Sequence, residues 1–470
     1  MKRLMPQKPK MPQQSSRKTK QLLESAQTFE AWYETLQKHF PCVVSEPSHE
    51  TEKLVDSNEN FNLPIYRWYN LKESFSAKLP LWVVTQLKER YQHITRTALD
   101  PFMGSGTTGV ALAASKIRVT GVEYNSFIRS VAMAKASASN VEPESFEKIL
   151  GRLENFDWKK SAVDIPELST LHEREYVSKR NLGILLATVE RIETLRITPE
   201  VRLLLRVGVA SAVEQAFNLR KDGRALRYIP DRANRDIFSV ITENWRQILA
   251  DVKTFQQTKK KTDKCLFTVY SGSATDLKNL RNGDDNVSRL IDNSFDTAIY
   301  SPPYLNNFDY SEVYKLEIWL LGFIGNYEEW KNLRLGTLRS HPSIIFPETN
   351  YLSNDKNTRH IAKRIEEMTT SICLSDKTRS ATGRTIRGYF DDMYLALKEQ
   401  WRVLNSGGIA SYIVANSRHY YLPIATDLIL AEIARCIGFE PLELVVLRKR
   451  NGRTRQKSFL RETVVFIKKP

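Results

Sequence analysis

The stretch at residues 97–126 constrains the fold of this chain more than any other part of the sequence. Residues 97–115, TALDPFMGSGTTGVALAAS, have the pattern of a strand, a glycine-containing loop and a helix, and residues 117–126, IRVTGVEYNS, have that of a second strand followed by an acid. A strand, a helix and a strand in roughly 30 residues form a βαβ unit, whose strands lie parallel in one sheet. The sequence therefore predicts an α/β fold with a mainly parallel sheet.

Three glycines in the loop, Gly104, Gly106 and Gly109, predict a ligand-binding site at the end of the first strand. Glycine lets the backbone approach a ligand closely, and open α/β sheets bind ligands at the carboxyl ends of their strands. A P-loop would require a lysine after the last glycine, where Val110 stands, and the glycine spacing differs from the dinucleotide fingerprint. The loop by itself does not identify the ligand.

The acid after the second strand indicates a ligand that contains a nucleoside. Glu123 stands where the acid of nucleoside-binding sheets accepts hydrogen bonds from ribose hydroxyls. Tyr124, the next residue, is placed to cover the flat face of an adenine ring. The alternative for Glu123 is a solvated strand end.

The stretch IYSPPY at residues 299–304 follows another apolar run and contains two consecutive prolines. One interpretation is a rigid turn that leaves a strand, because proline fixes φ and has no N–H to donate. The chemical interpretation is that Ser301 and the carbonyl of Pro302 accept hydrogen bonds from an exocyclic amine, which favours its pyramidal transition state over the flat ground state. Tyr304 would then stack on the ring that carries the amine.

Taken together, DPFMGSGTTG, GVEYN, YSGSATDL and IYSPPY resemble the motifs of the amino-group DNA methyltransferases, which use S-adenosylmethionine. The Ser-Pro-Pro-Tyr form resembles the N4-cytosine branch more than the N6-adenine branch, which more often has Asp or Asn at the first position. The resemblance covers half of the chain. It implies a Rossmann-like methyltransferase fold with a mixed seven-stranded sheet and a terminal β-hairpin, to which a helical insert is added.

The resemblance also implies roles for particular residues, with S-adenosyl-L-methionine as the cofactor and no metal. The methionine part of the cofactor is assigned to the first strand end and the glycine loop, namely Asp100, Pro101, Phe102, Gly104, Ser105, Gly106 and Thr107. The remaining cofactor contacts are assigned to Phe75 and Ser76 of the KESFS segment, Glu123 for the ribose, and Tyr124 and Asp276 for the adenine. The target base is assigned to the catalytic corner of Ser301, Pro302, Pro303 and Tyr304.

The charge of the chain favours a polyanionic partner. The net charge is +16, and the first 20 residues contain seven basic and no acidic side chains. A basic excess is left when that tail is set aside, and it suits nucleic acid, with solubility alone as the alternative. We expect double-stranded DNA, from which the target base must swing out into the pocket. A cognate restriction endonuclease would accompany the protein in a restriction-modification system.

Candidate DNA contacts lie in basic segments of the chain. The stretch at 217–230 contributes Arg220 and Arg224, and the loop at 448–457 contributes Arg448, Lys449, Arg450, Arg453, Arg455 and Lys457. The stretch LRLGTLRSHPS at 333–343 is a third candidate. For any one of these residues a solvated charged surface is the most frequent outcome, followed by phosphate contact and then by base readout.

The predicted domain organisation is discontinuous. A disordered basic tail (1–20) and an N-terminal helix with a linker (21–62) precede a methyltransferase domain made of residues 63–136 and 262–470. Residues 137–261 are predicted to be a helical insert and the candidate DNA-recognition subdomain, and residues 325–383 a second insert.

The predicted function is a site-specific DNA methyltransferase that acts on the N4 amine of a flipped-out cytosine, in a restriction-modification or related defence system. Methylation of adenine at N6 stays open, as do an RNA substrate and a binding protein with a decayed cofactor pocket. Four dispersed cysteines without a CxxC pair predict a reducing compartment, here the prokaryotic cytoplasm, in association with the nucleoid. No apolar stretch approaches the length of a membrane span.

Overall fold

The computed structural model describes residues 17–156, 164–173, 176–222, 225–230, 235–258, 266–282, 286–373, 379–419, 422–450 and 459–470. Most of the predicted basic tail, residues 1–16, lies outside these ranges. Within them, no helix combines the length and the apolar character that crossing a bilayer requires.

The strands are short to medium in length and belong mainly to one sheet. In chain order they are β1 (Cys42–Val44), β2 (Thr97–Asp100), β3 (Arg118–Glu123), β4 (Leu219–Asp222), β5 (Ala225–Tyr228), β6 (Phe267–Ser271), β7 (Leu280–Asn282), β8 (Asn286–Ser288), β9 (Phe295–Tyr300), β10 (Leu404–Ala415), β11 (Ser417–His419), β12 (Leu422–Ile424), β13 (Glu440–Lys449) and β14 (Arg461–Lys468).

The helices surround this sheet. They are α1 (Arg17–Gln37), α2 (His49–Leu54), α3 (Lys78–Tyr91), α4 (Thr107–Ala114), α5 (Ser126–Ser137), α6 (Pro143–Glu154), α7 (Ser169–Glu173), α8 (Lys179–Thr194), α9 (Pro199–Ala216), α10 (Ile237–Thr258), α11 (Tyr310–Val313), α12 (Lys315–Leu320), α13 (Tyr327–Leu335), α14 (Tyr351–Asn354), α15 (Arg359–Cys373), α16 (Arg379–Val403) and α17 (Thr426–Ile437). Two 3₁₀ helices lie at Asn58–Asn62 and Tyr66–Trp68.

In the described part of the chain, the main sheet has ten strands in the order β1-β13-β14-β10-β9-β2-β3-β6-β7-β8. The five strands from β10 to β6 in this order are parallel, whereas β14 runs antiparallel to both β10 and β13. The run from β13 to β6 is a mixed seven-stranded sheet that ends in the β13–β14 hairpin, and short strands extend both edges. The predicted Rossmann-like α/β fold is confirmed.

Two glycines of the predicted loop serve the βαβ unit itself. Gly106 precedes α4 with φ +88°, a left-handed conformation that glycine adopts without strain. A Cβ atom on Gly109 would lie 2.2 Å from ring carbons of Phe267 in β6, so the helix approaches the sheet more closely than a side chain at this position would permit. These contacts set the start of α4 directly above the strand ends.

The insert at 137–261 is mainly helical, but the prediction missed a β-hairpin within it. Strands β4 and β5 pair antiparallel with Arg220 opposite Arg227, where only an arginine-rich turn was expected. The apolar side chains of the insert share one buried cluster with Phe127 of α5 and Trp319 of α12. The hydrophobic core of the insert is therefore continuous with the packing of α5 and α12.

The polar segment at 45–62 is not the free linker that its composition suggested. It forms α2 and a 3₁₀ helix, and its Asn60 is buried. Asn60 Nδ2 donates to the carbonyl oxygen of Phe75 at 2.8 Å, and the N–H of Ala77 donates to Asn60 Oδ1 at 2.9 Å. The segment thus holds the KESFS stretch in place, a long-range role that composition does not reveal.

The second insert at 325–383 has more regular secondary structure than its polar sequence indicated. It contains α13, α14, α15 and the beginning of α16. One face of α15 is buried through Ile361, Ile365 and Met368, which belong to the same hydrophobic cluster as the core of α16. Because the other face of α15 is charged, the segment is polar on average, and its amphipathic pattern was not recognised from the sequence.

Candidate active site

A cavity opens where three parallel strands end at the same edge of the sheet. Strands β2, β3 and β9 end at Asp100, Glu123 and Tyr300, and the loops that follow them face one another. The space between its walls amounts to about 1040 Å³, a figure that includes the open solvent at the mouth. Ten of the predicted site residues line it: Phe75, Pro101, Phe102, Gly104, Ser105, Thr107, Glu123, Tyr124, Ser301 and Pro303.

Glu123 is held at the cavity wall by the backbone. The N–H of Gly104 donates to its Oε2 at 3.0 Å and the N–H of Asn125 donates to its Oε1 at 2.8 Å. Desolvation raises the pKa of Glu123 to about 7, against these hydrogen bonds and the charge of Arg129. The backbone N–H of Tyr124 also favours the ionised form. An ionised carboxylate has about four acceptor sites, so these contacts leave acceptor capacity for a ligand hydroxyl.

Asp100 lies beneath the glycine loop rather than in the cavity wall. Its side chain is buried, and its Oδ1 accepts from the N–H of Phe102 at 3.0 Å. Desolvation raises the pKa of Asp100 to about 7. The carboxyl group thus shapes the loop that carries Phe102 into the cavity.

The wall opposite the glycine loop comes from the second insert. Gly336 packs against Tyr124 so closely that a Cβ atom on it would lie 1.8 Å from the tyrosine hydroxyl. Thr337, Leu338 and His341 continue this wall. The stretch at 333–343 was a candidate for DNA contact, and five of its residues line this cavity: Gly336, Thr337, Leu338, Ser340 and His341.

The Ser-Pro-Pro-Tyr corner follows β9 directly. The Ser301 hydroxyl donates to the carbonyl oxygen of Ile413 in β10 at 3.1 Å, which commits its hydrogen and leaves its lone pairs as acceptors. Phe102 packs against Tyr300 with ring centroids 5.6 Å apart, so the glycine loop and the corner are in contact. Burial raises the pKa of Tyr304 well above its ordinary value, which keeps this phenol neutral.

A second cavity adjoins the first, and Ser301 lies in the wall of both. The space between its walls amounts to about 740 Å³, again including open solvent. Glu73, Ser74 and Phe75 are also shared between the two cavities, whereas Tyr304, Arg448, Arg450 and Glu462 line only the second among the described residues. The hydroxyl of Ser301 therefore stands between two spaces of different chemical character.

The charges of the second cavity are arranged around one carboxylate. Glu462 is only 2% exposed; its Oε2 accepts a hydrogen bond from Arg448 at 2.8 Å, and its Oε1 forms an ion pair with Arg450 at 2.8 Å. Desolvation raises the pKa of Glu73, and the nearby Arg450 opposes that rise. Lys449, between the two arginines in sequence, points elsewhere and pairs with Glu46 at 2.6 Å.

Several predicted site residues lie outside both cavity walls. Besides Asp100, they are Ser76, Gly106, Asp276 and Pro302. Asp276 accepts from the backbone of Lys278 and from the side chain of Asn279, and the first cavity is lined instead by residues 272–275. Arg220 is exposed on the β4–β5 hairpin. Arg224, Arg453, Arg455 and Lys457 lie outside the described residues.

Sequence reasoning missed cavity residues that come from distant segments. His341 is buried, its Nδ1 lies 2.6 Å from the Ser343 hydroxyl, and that hydroxyl donates to Asp309 at 2.6 Å. Desolvation lowers the pKa of His341, so its imidazole is neutral at pH 7. The short motif His-Pro-Ser after Arg339 was visible, but nothing local ties it to the strand ends.

One group elsewhere has the composition of a metal site. His360, Glu432 and Cys436 place ligand atoms within 4.8 Å of one another. Glu432, however, already accepts two hydrogen bonds from Arg435, at 2.8 and 2.9 Å. A cation would have to displace this guanidinium, so the cluster is better explained by the ion pair of Glu432 and Arg435 within α17.

Known proteins resemble this chain along most of its length. The family described as DNA methylase (N6_N4_Mtase) matches residues 2–134. The type II methyltransferase M.AvaI of Nostoc sp. is 28% identical over 90% of this chain and 90% of that protein. M.BsoBI of Geobacillus stearothermophilus is 23% identical over 93% and 91%, and M.MvaI of Kocuria varians is 21% identical over 75% and 79%.

Among solved structures, the rRNA methyltransferase aviRa of Streptomyces viridochromogenes aligns over 90% of this chain and 96% of that chain, with 9% identity and a TM-score of 0.32. A TM-score this low does not indicate a shared fold or function. The family match and the type II relatives together support an amino-methyltransferase family.

Proposed function

We propose that this protein is a site-specific DNA methyltransferase of a restriction-modification system, which methylates the N4 amine of a flipped-out cytosine. The observation that carries the proposal is the position of Ser301, in the wall shared by the glycine-loop cavity and the cavity of Tyr304 and Arg450. The type II methyltransferase names of the relatives support a DNA substrate.

The first cavity fits S-adenosylmethionine. Its wall combines apolar side chains such as Val122 and Ile128 with the free lone pairs of Glu123, which suits an adenine ring joined to a ribose. Phe102 would face the methionine part, and Glu123 the ribose. The cofactor, when bound, supplies an activated methyl group.

The protein's own contribution is to prepare the amine that receives the methyl group. The lone pairs of Ser301 accept one amine hydrogen. The other is assigned to the backbone carbonyl of Pro302, the next residue of the corner, which itself lines neither cavity. Because both acceptors are fixed by the diproline corner, they favour the pyramidal amine of the transition state over the planar amine of the free base. Tyr304 stacks on the flipped base and stabilises it in the second cavity.

The proposal is tested by mass analysis of nucleosides after unmethylated DNA is incubated with the protein and isotope-labelled S-adenosylmethionine. We expect labelled N4-methyl-2′-deoxycytidine. Labelled N6-methyl-2′-deoxyadenosine would agree with a DNA methyltransferase but contradict cytosine as the target base. Labelled RNA without labelled DNA would contradict DNA as the substrate. The absence of transfer, together with no heat on titration with S-adenosylmethionine or its demethylated product, would favour a binding protein.

Replacement of Tyr304 by Ala tests the stacking role. We expect kcat/KM for DNA to fall by about 5- to 150-fold, because one stacking contact contributes about 1–3 kcal/mol. The Kd of S-adenosylmethionine, measured by calorimetry, should stay unchanged, since Tyr304 does not line the first cavity. Tyr304→Phe is the matched control, because it keeps the ring. A phenylalanine variant as impaired as the alanine variant would show that stacking is not the role of this residue.

A further inference from the structure

The second cavity has one wall whose chemistry the methyl-transfer reaction by itself does not require. The Ser301–Tyr304 corner forms one side. The other side is formed by Arg448, which lies in β13, and by Arg450, which directly follows the end of β13. The two guanidinium groups share the single buried carboxylate of Glu462. This wall carries two positive charges against one negative charge, and Asp56, Lys72 and Glu73 elsewhere in the same cavity bring the sum to zero, so its distinctive feature is its supply of hydrogen-bond donors.

Arg450 keeps donors available for a ligand. Its Nη2 is bound to Glu462, while its Nε and Nη1 make no hydrogen bond to any residue the structure describes. Its side chain is 42% exposed, and it faces the cavity beside Tyr304. The ion pair with Glu462 holds one end of the guanidinium at the cavity wall, and its other N–H groups can donate to a ligand.

The pyrimidine edge of cytosine matches such a donor. Beside its N4 amine, cytosine carries two neighbouring acceptors, N3 and O2. Beside its N6 amine, adenine carries one acceptor, N1, and then a C–H group. An arginine donates only, through parallel N–H groups, so it pairs with two adjacent acceptors and loses one hydrogen bond when the second position is a C–H.

We infer that Arg450 determines the target base, by donating to the N3 and O2 edge of the flipped cytosine while Ser301 accepts from its N4 amine. This inference rests on the proposed function, because it requires a base in the second cavity. Glu462 is then a positioning residue, since it orients Arg450 without touching the base. Arg448, tied to the other oxygen of Glu462, completes the cationic wall.

The test compares two DNA duplexes that carry the recognition site mapped with the wild-type protein. In one duplex the target position holds cytosine, and in the other it holds adenine. The variants are Arg450→Ala and Arg450→Lys, with Lys449→Ala as the matched control, because Lys449 is the neighbouring cation and does not line either cavity. The measured quantity is the ratio of kcat/KM for cytosine to that for adenine.

We expect the wild-type ratio to fall by about 5- to 150-fold in Arg450→Ala, as for the loss of one bidentate base contact. Arg450→Lys should lose most of the ratio as well, because a lysine keeps the charge but not the paired N–H groups. Lys449→Ala should keep the ratio, whatever it does to the salt dependence of DNA affinity. Calorimetry with S-adenosylmethionine checks that each variant still binds the cofactor, and hence that the first cavity is intact.

Two outcomes would overturn the inference, and each differs from a failure of the proposed function. An unchanged ratio in Arg450→Ala, with a weaker salt dependence of DNA binding, would make Arg450 a phosphate contact. If the wild-type protein methylates adenine in its own mapped site, Arg450 does not select cytosine, although the protein is still a DNA methyltransferase. A wild-type protein that transfers no methyl group to DNA would instead contradict the proposed function itself.

Discussion

Replacement of Ser301 by Ala is expected to lower kcat by about 100-fold or more, the size seen when one preorganised hydrogen-bonding group is removed from a reacting centre. The reason is that the hydroxyl acts on the amine only as it becomes pyramidal. Its hydrogen is committed to the carbonyl oxygen of Ile413, so its lone pairs are directed toward the cavities. The Kd of S-adenosylmethionine should change little, because Ser301 forms only one corner of the first cavity.

A matched control for this prediction lies on the neighbouring strand β10, opposite Ile299. Ser411 of β10 is completely buried, and its hydroxyl has no hydrogen-bond partner among the described residues. Ser411→Ala should therefore leave kcat and KM unchanged. Single-turnover methylation of DNA separates the chemical step from binding and product release. Equal losses of cofactor affinity and turnover in Ser301→Ala would contradict the role assigned to this hydroxyl.

Local sequence was sufficient for the parts of the site that lie at strand ends. Glycines, an acid after a strand and a diproline each have a local physical cause, and parallel pairing then brings those strand ends to one edge. That is why the positions of Phe102, Glu123 and Ser301 around one cavity follow from pattern alone. The roles of these side chains stay predictions.

The remaining walls depend on packing between segments far apart in the chain. Gly336 meets Tyr124, and Asn60 meets the KESFS segment, through contacts that have no periodic signal in sequence. The β4–β5 hairpin is a different case, because a glycine directly after Asp222 is typical of a two-residue hairpin loop, a signal that the arginine-rich composition obscured. The pairing of two arginines on Glu462 needed β14 to be placed beside β13.

Glu123→Gln is expected to weaken S-adenosylmethionine binding by about 10- to 150-fold, because hydrogen bonds to a charged group contribute about 1.5–3 kcal/mol. Both carboxylate oxygens already accept from backbone N–H groups. A glutamine turns one of them into a donor, which opposes the neighbouring N–H and removes an acceptor from the cavity. Calorimetric titration with the cofactor measures the loss, and circular dichroism checks the fold.

The pH dependence of binding separates this role from a merely structural one. Burial raises the pKa of Glu123 to about 7, so the free protein holds a proton on this group below that pH. Ribose hydroxyls donate best to the ionised form, and cofactor affinity should therefore rise between pH 6 and pH 8 in the wild type. The variant should lose that rise, whereas an equally steep profile in both proteins would remove Glu123 from the cofactor contacts.

The same raised pKa of Glu123 makes the folded protein less stable as the pH rises. The folded state retains the Glu123 proton up to about pH 7, while the unfolded chain releases it near the ordinary value of 4.5. The wild type should thus lose about 2–3 kcal/mol of unfolding free energy relative to Glu123→Gln between pH 5 and pH 8. Urea denaturation of both proteins at the two pH values measures this difference. A difference of opposite sign would mean that the carboxylate is stabilised in the folded protein, and the pH profile of cofactor binding would then have to arise from another group.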